Sequence, residues 1–597
     1  MPGLTLVSAR SSASDPLLEA ALQPALQDRH TSSHLWSEES LDIVATHYEG
    51  YPLETVETAE YWMCLEGGLY DRSAAQTRSR LRDWADVLLG ASSRYFPRSL
   101  LNTDGDFLIV AVRKDTHQWA VIPDPMGRLP LYQYTTSSQA CLTRDFHLFN
   151  RLDTPPAPDR IGAAQQLTFG YPLGRRTLRK DVERVSPGMI LFSGPSPSTI
   201  RRHRVTEYNF EASRRHTERS LSQNASRLVE RLEQSAEARA RWRNGPSVLA
   251  LSGGLDSRSI ACGLQRTGCS FGAVTFARPG GRNAPDVRFA QEVASKFGLP
   301  HQTVSLPTLS EHHLWALLQI KGGLNPLDVS YMVPYLEAVV DEYGTGAHLL
   351  TGNGGALLRD LQPSPPLMDE DDLLHSLLDG GWLPFDTAAR LARIAPRDLI
   401  DSVRSRLASY PESSLHGQHL HFSFERLFKY SFEGEDRNRS YLWSSAPYHG
   451  LHFTRYALNC PDDQKRNYRL YRAFLRALSP RALQIGYANF YGLRMTTLSY
   501  NFYRALRWCV RQAPSLKDWL NRQRGRTKSY RSEALVPSLL RSHLDSTNNG
   551  ILDPTITTRL LDQSSDVSAR ALDNVLTVTL AFDRPSARHL FFDSQHV

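Results

Sequence analysis

The sequence contains few cysteines and no long apolar run. Its 597 residues include six cysteines without a close pair, which argues against a disulfide framework or a zinc site and fits reduced thiols. No apolar segment approaches the roughly 18 residues that a membrane-spanning helix needs. The first residues lack the basic and apolar regions of a secretory signal. We therefore predict a cytoplasmic protein without a membrane span.

An excess of charge of one sign is also missing. The formal net charge is +7 and the sequence pI is about 9.0, which is mild for a chain of this length. Basic residues concentrate between Arg504 and Arg531, but no aromatic platform or nucleic-acid motif accompanies them. We interpret this cluster as a solvated helical surface and predict no nucleic-acid partner.

The length and the pattern of the chain indicate two domains. With 41% hydrophobic and 22% charged residues, the composition is that of a globular protein with more than one core. Residues 1–200 contain short strands. The segment 193–216 is Pro/Ser-rich and then charged, and 201–216 are predicted to be a linker. Residues 217–597 alternate strands and helices, which predicts a parallel sheet with helices on both faces. A helical insertion is expected at about 358–430 and a helical, basic region at 500–597.

The most informative motif is Ser252-Gly253-Gly254-Leu255-Asp256-Ser257, where a buried strand turns into a helix. Two glycines allow a ligand to approach the backbone, and the N–H groups of a helix start attract anions. Asp256 repels phosphate and is explained as a ligand of Mg²⁺. The turn lacks the lysine of a Walker loop, which suits a site that holds the pyrophosphate leaving ATP. The alternative is an Asx-type turn that caps the helix.

This motif resembles the pyrophosphate loop of the ATP pyrophosphatase superfamily, and four further segments resemble the asparagine synthetase-like amide ligases in particular. These are LEGGLYD (65–71), TDGDF (103–107), DPMGRLPLYQY (124–134) and TLRKDVERVSPG (177–188). The resemblance implies a mixed α/β and α+β two-domain fold. An N-terminal glutaminase-like (Ntn-type) β-sandwich with helices precedes a parallel-sheet adenylating domain that carries the helical insertion.

The resemblance also implies ATP and Mg²⁺ at the second domain. The residues expected to hold the nucleotide lie in two neighbouring strands and two glycine-rich loops: Leu249, Leu251, Val274 and Phe276 for adenine, and Ser252, Gly253, Gly254, Leu255, Asp256, Ser257, Gly352 and Gly354 for the phosphates. Asp256 and Asp360 are the candidate metal ligands. Asp286 is either an acidic site residue of this family or a plain helix N-cap.

The chain departs from the family at three places. No cysteine stands at position 2, and Glu66 replaces the glutamine-binding Asn, so glutamine is not the expected source of the amine. In the second loop, Ala356 replaces an Asp. Either Asp360 reaches back, or water replaces one Mg²⁺ ligand, or activity is reduced. The family's late lysine aligns with Asn489, and Lys465 or Arg494 would have to replace its charge.

Among relatives without a glutaminase, the chain resembles lasso-peptide macrolactam synthetases, a group related to β-lactam synthetases. The segment FEGEDRNRSYLWSSAPYHGLHF (432–453) carries this resemblance. It implies antibiotic biosynthesis, with a precursor peptide as substrate and a leader-binding or leader-peptidase protein as partner. Two alternatives stay open: an asparagine synthetase or β-lactam synthetase-like ligase acting on a small molecule, and a non-catalytic nucleotide-binding relative.

The catalytic candidates follow from the second step of such a reaction, which needs a neutral amine and hence a general base. Glu433 or Glu435 is the candidate base, and the alternative is an ion pair with Arg437 or Arg439. Asn353 in the second loop and Lys465 complete the set of candidates.

Overall fold

The structure is a computed structural model that describes residues 1–597 apart from 10–14, 25, 27, 39, 91–97, 207–215, 361–366, 488–489, 491, 513–534, 547–549, 564–566 and 583–597. Its elements fall into two domains, as the sequence predicts. The fold class is confirmed by two antiparallel sheets in the N-terminal part and one parallel sheet in the C-terminal part.

The N-terminal domain is a sandwich of two six-stranded sheets, ordered β10-β8-β9-β1-β3-β2 and β12-β11-β7-β6-β5-β4. All of its paired strands run antiparallel. The strands are β1 (Gly3–Ala9), β2 (Thr31–Glu38), β3 (Leu41–His47), β4 (Leu53–Glu57), β5 (Tyr61–Leu69), β6 (Gly105–Arg113), β7 (Trp119–Pro123), β8 (Tyr132–Thr135), β9 (Gln139–Thr143), β10 (Val182–Arg184), β11 (Met189–Ser193) and β12 (Ile200–Arg204).

Strand β6 shows how the sequence builds this sandwich. Successive side chains of a strand point to opposite faces. Leu108 and Val110 therefore enter the core between the two sheets, whereas Phe107 and Ile109 enter a second core. That second core is closed by a helix, α2 (Ala74–Leu89), whose apolar face covers the outer side of the sheet.

The C-terminal domain is built on five parallel strands in the order β15-β14-β13-β16-β17. They are β13 (Ser247–Ala250), β14 (Gly272–Ala277), β15 (His301–Ser305), β16 (His348–Leu350) and β17 (Trp443–Ser445). Both faces are covered. Val248 lies in one apolar core and Leu249 in the other, which explains the continuous apolar runs of these strands.

The described helices are α1 (Pro16–Leu22), α2, α3 (Arg98–Leu101), α4 (Leu148–Arg151), α5 (Arg160–Phe169), α6 (Leu221–Arg241), α7 (Leu255–Arg266), α8 (Ala284–Phe297), α9 (Glu311–Lys321), α10 (Met332–Tyr343), α11 (Glu370–Asp379), α12 (Phe385–Leu391), α13 (Pro396–Ala408), α14 (Leu415–Arg426), α15 (Phe432–Asn438), α16 (Leu451–Asn459), α17 (Asp462–Lys465), α18 (Arg469–Leu478), α19 (Thr497–Gln512), α20 (Leu535–Ser546), α21 (Pro554–Asp562) and α22 (Ala569–Leu580). No helix in the described parts of the chain is long and apolar enough to cross a membrane.

The start of the predicted linker differs from the structure. Strand β12 pairs with β11 from Ile200 to Arg204, so residues 201–204 belong to the sandwich. The Pro/Ser-rich residues before them form the turn of this hairpin, because such residues favour tight turns as well as linkers. Residues 207–215 of the predicted linker lie outside the described residues, as does the basic segment 513–534.

Buried charges join the two domains. Arg128 of the sandwich contacts Asp104, Asp106 and Asp124. The C-terminal domain adds two arginines to this cluster: Arg239 donates to Asp104 at 2.8 Å and Arg439 to Asp106 at 2.9 Å. A buried charge without a partner is costly. The sandwich and the C-terminal domain therefore each complete the other's ionic pairs.

Candidate active site

The first glycine-rich loop leads from β13 into α7, at the carboxyl edge of the parallel sheet. The Ser252 N–H donates to Ser257 Oγ at 3.0 Å, and the Gly254 N–H donates to Ser252 Oγ at 3.2 Å. Helix α7 begins at Leu255, with Gly254 at the N-cap and no side chain bonded to its first N–H groups. The alternative of a side-chain-capped helix is therefore wrong here. An uncapped N-terminus of this kind attracts anions.

Asp286 fixes this loop. Its Oδ1 accepts the N–H of Gly253 at 3.0 Å, and a Cβ on Gly253 would lie 2.7 Å from the Asp286 carbonyl oxygen. Burial raises the pKa of Asp286, although the hydrogen bond from the Gly253 N–H acts to lower it. Asp286 lies within the first turn of α8 and Asn283 takes the N-cap position, so the N-cap interpretation of Asp286 is wrong. Its carboxylate instead holds the loop in place.

The second glycine-rich loop follows β16 and touches the first. A Cβ on Gly352 would lie 2.6 Å from the Ser257 nitrogen, and a Cβ on Gly355 would lie 2.2 Å from Asp256 Oδ1. Both positions thus require glycine for the two loops to meet. Gly354 has a φ of +99°, which is also accessible mainly to glycine. Parallel neighbouring strands bring these loops together, since their carboxyl ends share one edge of the sheet.

Asp256 is paired with a cation that belongs to the chain itself. Arg359 Nη2 lies 2.6 Å from Asp256 Oδ1 and 2.7 Å from Oδ2, and the Tyr471 hydroxyl donates to Oδ1 at 2.6 Å. Both carboxylate oxygens are therefore engaged. Neither Arg359 nor Tyr471 is a residue that the sequence suggested, because they lie far from Asp256 along the chain.

A protein-bound Mg²⁺ ion requires oxygen ligands in a near-octahedral arrangement. Asp256 has both oxygens engaged, the neighbouring loop offers Ala356 instead of a carboxylate, and Asp360 is exposed. Within the described residues no group of three or more His, Cys, Asp or Glu side chains is placed to hold a metal. The residues present do not fit a Mg²⁺ ion held by the protein. It is Arg359, not its neighbour Asp360, that reaches back to Asp256.

Glu435 lies directly behind the second loop. Its Oε1 accepts the hydroxyl of Thr351 and the side-chain amide of Asn353, and its Oε2 accepts Ser444 Oγ at 2.7 Å. Helix α15, which carries Glu435, is packed against β17. The buried carboxylate thus ties the ends of β16 and β17 together through three uncharged donors. This places two of the predicted candidates, Asn353 and Glu435, in one hydrogen-bonded group.

Glu433 has a different environment, although it lies only two residues earlier. Its carboxylate is buried and contacts Lys321 at 2.6 Å and Arg184 at 3.0 Å, and Tyr132 donates to it at 2.7 Å. Burial opposes its ionisation, but Lys321 and Arg184 outweigh this and lower the pKa of Glu433. A carboxylate held by two cations is a poor proton acceptor. The predicted surface ion pair of Glu433 with Arg437 or Arg439 is wrong, because the buried carboxylate pairs with Lys321 and Arg184 instead.

The strand residues expected at adenine lie on both faces of the parallel sheet: Leu249 and Leu251 belong to one apolar core, whereas Val274 and Phe276 pack in the other. Leu249, Leu251 and Val274 are buried, and the Leu251 N–H donates to the Val274 carbonyl at 2.9 Å. This N–H group is therefore already used within the sheet. The Phe276 ring packs between Tyr331 and Tyr335. A role of these four residues at adenine stays a prediction.

The two cations expected to replace the late lysine are placed differently. Lys465 is buried at the end of α17, whereas Arg494 is exposed. Asn489 lies outside the described residues. Lys465 and Arg494 therefore stay predictions.

Glu66, the residue predicted to replace a glutamine-binding Asn, forms a buried salt bridge with Arg144. Glu66 is fully buried and accepts the Leu4 N–H at 3.0 Å, the Tyr51 hydroxyl at 2.6 Å and Arg144 Nε at 2.9 Å. Burial, and then the nearby Glu66, raise the pKa of the Cys64 thiol, which keeps it protonated and unreactive. That the sandwich does not hydrolyse glutamine stays a prediction.

A cavity of about 600 Å³ opens beside the second loop. Gly354, Ala356 and Leu357 form one side of it. The rest is mostly apolar and comes from the sandwich, the insertion and a π-helical turn, Leu427–Ser431, between α14 and α15. The aromatic side chains that line it are Phe169, Tyr171, Trp382, Phe422, Phe424 and Tyr430. π-Helical turns are often found at functional sites, and the cavity has the size of a small-ligand site.

The first glycine-rich loop lies in a segment that matches a family model. Residues 227–311 match the family model described as asparagine synthase. The match contains Ser252–Ser257 and Asp286. This part of the chain is asparagine synthase-like, which supports the predicted resemblance to asparagine synthetase-like ligases.

Solved structures give weaker similarities. Glutamine phosphoribosylpyrophosphate amidotransferase from B. subtilis, complexed with ADP and GMP, is 12% identical, with 63% of this chain and 92% of that chain covered and a TM-score of 0.23. NMN synthetase from Francisella tularensis is 14% identical, with 35% of this chain and 94% of that chain covered and a TM-score of 0.18. Scores this low carry no argument about fold or function. A comparison with curated proteins gives no match.

Proposed function

We propose that this protein is an ATP-dependent carbon–nitrogen ligase that releases AMP and pyrophosphate. The observation that carries this proposal is the contact between two glycine-rich loops at the carboxyl edge of the parallel sheet, beside the uncapped start of α7. The asparagine synthase-like segment contains the first of these loops. Together they provide an anion site beside a cavity suited to an organic substrate.

In the proposed reaction, a carboxylate oxygen of the substrate attacks the α-phosphorus of ATP, and the bond to the leaving pyrophosphate breaks. The loop Ser252–Ser257 binds the pyrophosphate through its N–H and hydroxyl groups. An amine then attacks the acyl carbon, AMP leaves, and the proton of the amine passes to a base. No step is assigned to Mg²⁺, because the predicted ligands Asp256 and Asp360 do not form a metal site with their neighbours.

Glu435 is the better candidate for the base. Its described partners are uncharged and it lies against the second loop, whereas Glu433 is neutralised by Lys321 and Arg184. Asn353 contacts Glu435 and is proposed to orient it. The cavity beside the second loop excludes water through its apolar walls, which protects an acyl-adenylate from hydrolysis.

The specific reaction that we propose is closure of a macrolactam ring on a ribosomal precursor peptide in the cytosol, with the amine and the carboxylate in the same molecule. Two features support it: the aromatic cavity and the resemblance of residues 432–453 to lasso-peptide synthetases. A leader-binding or leader-peptidase protein is the proposed partner. Holding the two reacting groups together offsets the entropy cost of bending the peptide into a ring.

Two alternatives make different predictions. The cavity volume of about 600 Å³ also suits a small carboxylic acid, as in an asparagine or β-lactam synthetase-like ligase. The engagement of Asp256 by Arg359 favours a nucleotide-binding protein without catalysis. Pyrophosphate release with a precursor peptide, with aspartate, or with neither separates the three functions.

The deciding experiment uses the full chain, ATP and a set of carboxylate substrates. A ligase forms AMP and pyrophosphate only when the substrate is present. If the product is a macrolactam, mass spectrometry shows a peptide that is lighter than the precursor by the mass of one water. Ser257→Ala should reduce pyrophosphate release about tenfold or more, because a hydrogen bond to a charged group is lost. Ser259→Ala, two residues further along α7 and bonded to the Leu255 carbonyl, is the matched control. Equal rates for both variants would refute the assigned role of the loop.

A further inference from the structure

Arg359 is placed to act on the same ligand as the first glycine-rich loop. It follows the short 3-10 turn Gly355–Leu358, whose first residue packs directly on the Asp256 carboxylate. Its guanidinium also lies over the rings of Tyr468 and Tyr471, with 5.8 and 5.6 Å to the ring centroids. The arginine is therefore held on three sides, by Asp256 and by two aromatic rings.

The donors of Arg359 are only partly used. The contacts with Asp256 involve Nη2, and the buried Nε has no hydrogen-bond partner among the described residues. A guanidinium has N–H groups on all three nitrogens and is always charged in proteins. The side chain is 25% exposed, so one edge of the group is reachable by a ligand. An arginine with spare donors beside an anion site is suited to bind phosphate.

The same place lacks the groups that a protein-bound metal needs, as described above for Asp256, Ala356 and Asp360. The loop nevertheless requires a positive charge, because the Asp256 carboxylate would otherwise repel a polyphosphate. Arg359 supplies that charge without a metal.

We infer that Arg359 is the cation of the pyrophosphate loop: it takes the place of a protein-held metal, is aimed by Asp256, and binds the β- and γ-phosphates of ATP through its remaining N–H groups. In this arrangement Asp256 is a positioning residue rather than a metal ligand. The inference rests on the proposed binding of ATP at this loop, but not on the identity of the carboxylate or the amine.

The test measures nucleotide binding by calorimetry with the full chain, in excess EDTA and in excess Mg²⁺. Wild-type protein should bind ATP in EDTA. Arg359→Ala should weaken ATP and ADP binding in EDTA about 10- to 100-fold, because one or two charge-assisted hydrogen bonds are lost. The binding of AMP should not change. Arg359→Lys should retain part of the affinity. Arg288→Ala removes an exposed arginine of α8 and serves as the matched control, and thermal unfolding of each variant verifies that it is folded.

Asp256→Asn separates a positioning residue from a metal ligand. If Asp256 aims Arg359, the variant weakens ATP binding in EDTA, and adding Arg359→Ala to it causes little further loss. If Asp256 binds a metal, its loss matters only in Mg²⁺, and Arg359→Ala leaves binding equal or makes it tighter. The second result would overturn the inference.

The outcomes also distinguish this inference from the proposed function. Binding of ATP that depends on Arg359, without pyrophosphate release from any carboxylate, supports the inference and refutes the ligase. Pyrophosphate release together with ATP binding that is insensitive to Arg359→Ala refutes the inference and keeps the ligase. If the wild-type protein binds no nucleotide in either buffer, both are wrong.

Discussion

Arg144 of the sandwich lies 2.5 Å from Asp436 of the ligase-like domain, measured from Nη2 to Oδ1, and both side chains are fully buried. The same guanidinium contacts Glu66, and Lys321 contacts Asp436 on its other side. Glu66 of the sandwich is thus joined through Arg144 to helix α15, the helix that carries both Glu433 and Glu435. The sandwich therefore serves as a structural partner of the candidate active site.

We predict that Arg144→Met destabilises the whole chain. The variant leaves Glu66 and Asp436 short of a partner in a buried site, and loss of one member of such a pair costs about 3–5 kcal/mol. Urea unfolding measures the change in the free energy of unfolding. Arg390→Ala breaks an exposed ion pair with Asp386 and should change stability by less than about 1 kcal/mol. Similar values for the two variants would show that the network between the domains is not stabilising.

We predict that Gly355→Ala separates the two glycine-rich loops. Its Cβ would lie 2.2 Å from Asp256 Oδ1, so Asp256 or the second loop has to move, at a cost of about 1–3 kcal/mol. ATP affinity and thermal stability should both fall. Gly346→Ala, whose Cβ would meet no atom within 4 Å, should leave both unchanged. Unaltered ATP affinity in Gly355→Ala would contradict the close contact of the loops.

The two carboxylates of α15 should behave differently when made neutral. Glu435→Gln is expected to lower amide formation about 100-fold, the usual effect of removing a general base, while exchange of labelled pyrophosphate into ATP continues. Glu433→Gln is expected to lower stability, because Lys321 and Arg184 lose their negative partner. If Glu435→Gln abolishes exchange as well, the residue supports the second loop rather than acting as a base.

Lys429 should make stability depend on pH. Burial, and next the nearby Arg184, lower the pKa of Lys429 from 10.5 to about 7. Between these values the unfolded chain binds a proton at this amine that the folded chain does not. The free energy of unfolding therefore rises with pH in this window, by up to about 1.4 kcal/mol per pH unit from this group.

Urea unfolding of wild-type protein and of Lys429→Met at pH 7, 8 and 9 tests this dependence. The variant should lose that part of the increase, whereas Lys296→Met, which changes an exposed lysine of α8, should keep it. Parallel pH profiles for wild-type protein and Lys429→Met would contradict the lowered pKa.

The sequence alone was sufficient for the parts of the fold that depend on local pattern. The strand-length runs of the first 200 residues and the apolar runs of β13 and β14 predict strands and a parallel sheet, because strand patterns follow from backbone geometry. The sandwich was implied by the family resemblance. The loop Ser252–Ser257 is predicted by its glycines and hydroxyls, which are adjacent in the chain. The start of the linker was predicted too early, since Pro and Ser are as common in hairpin turns as in linkers.

Only the tertiary structure decided which partner each charged group has. Glu433 and Glu435 lie two residues apart on α15, so about 200° of helical rotation separates their side chains, and they meet opposite surroundings. Arg359 and Tyr471 reach Asp256 from distant parts of the chain, and Asp286 reaches Gly253 from the next helix. Sequence spacing contains no information on such contacts, because they arise from the packing of separate elements around one sheet edge.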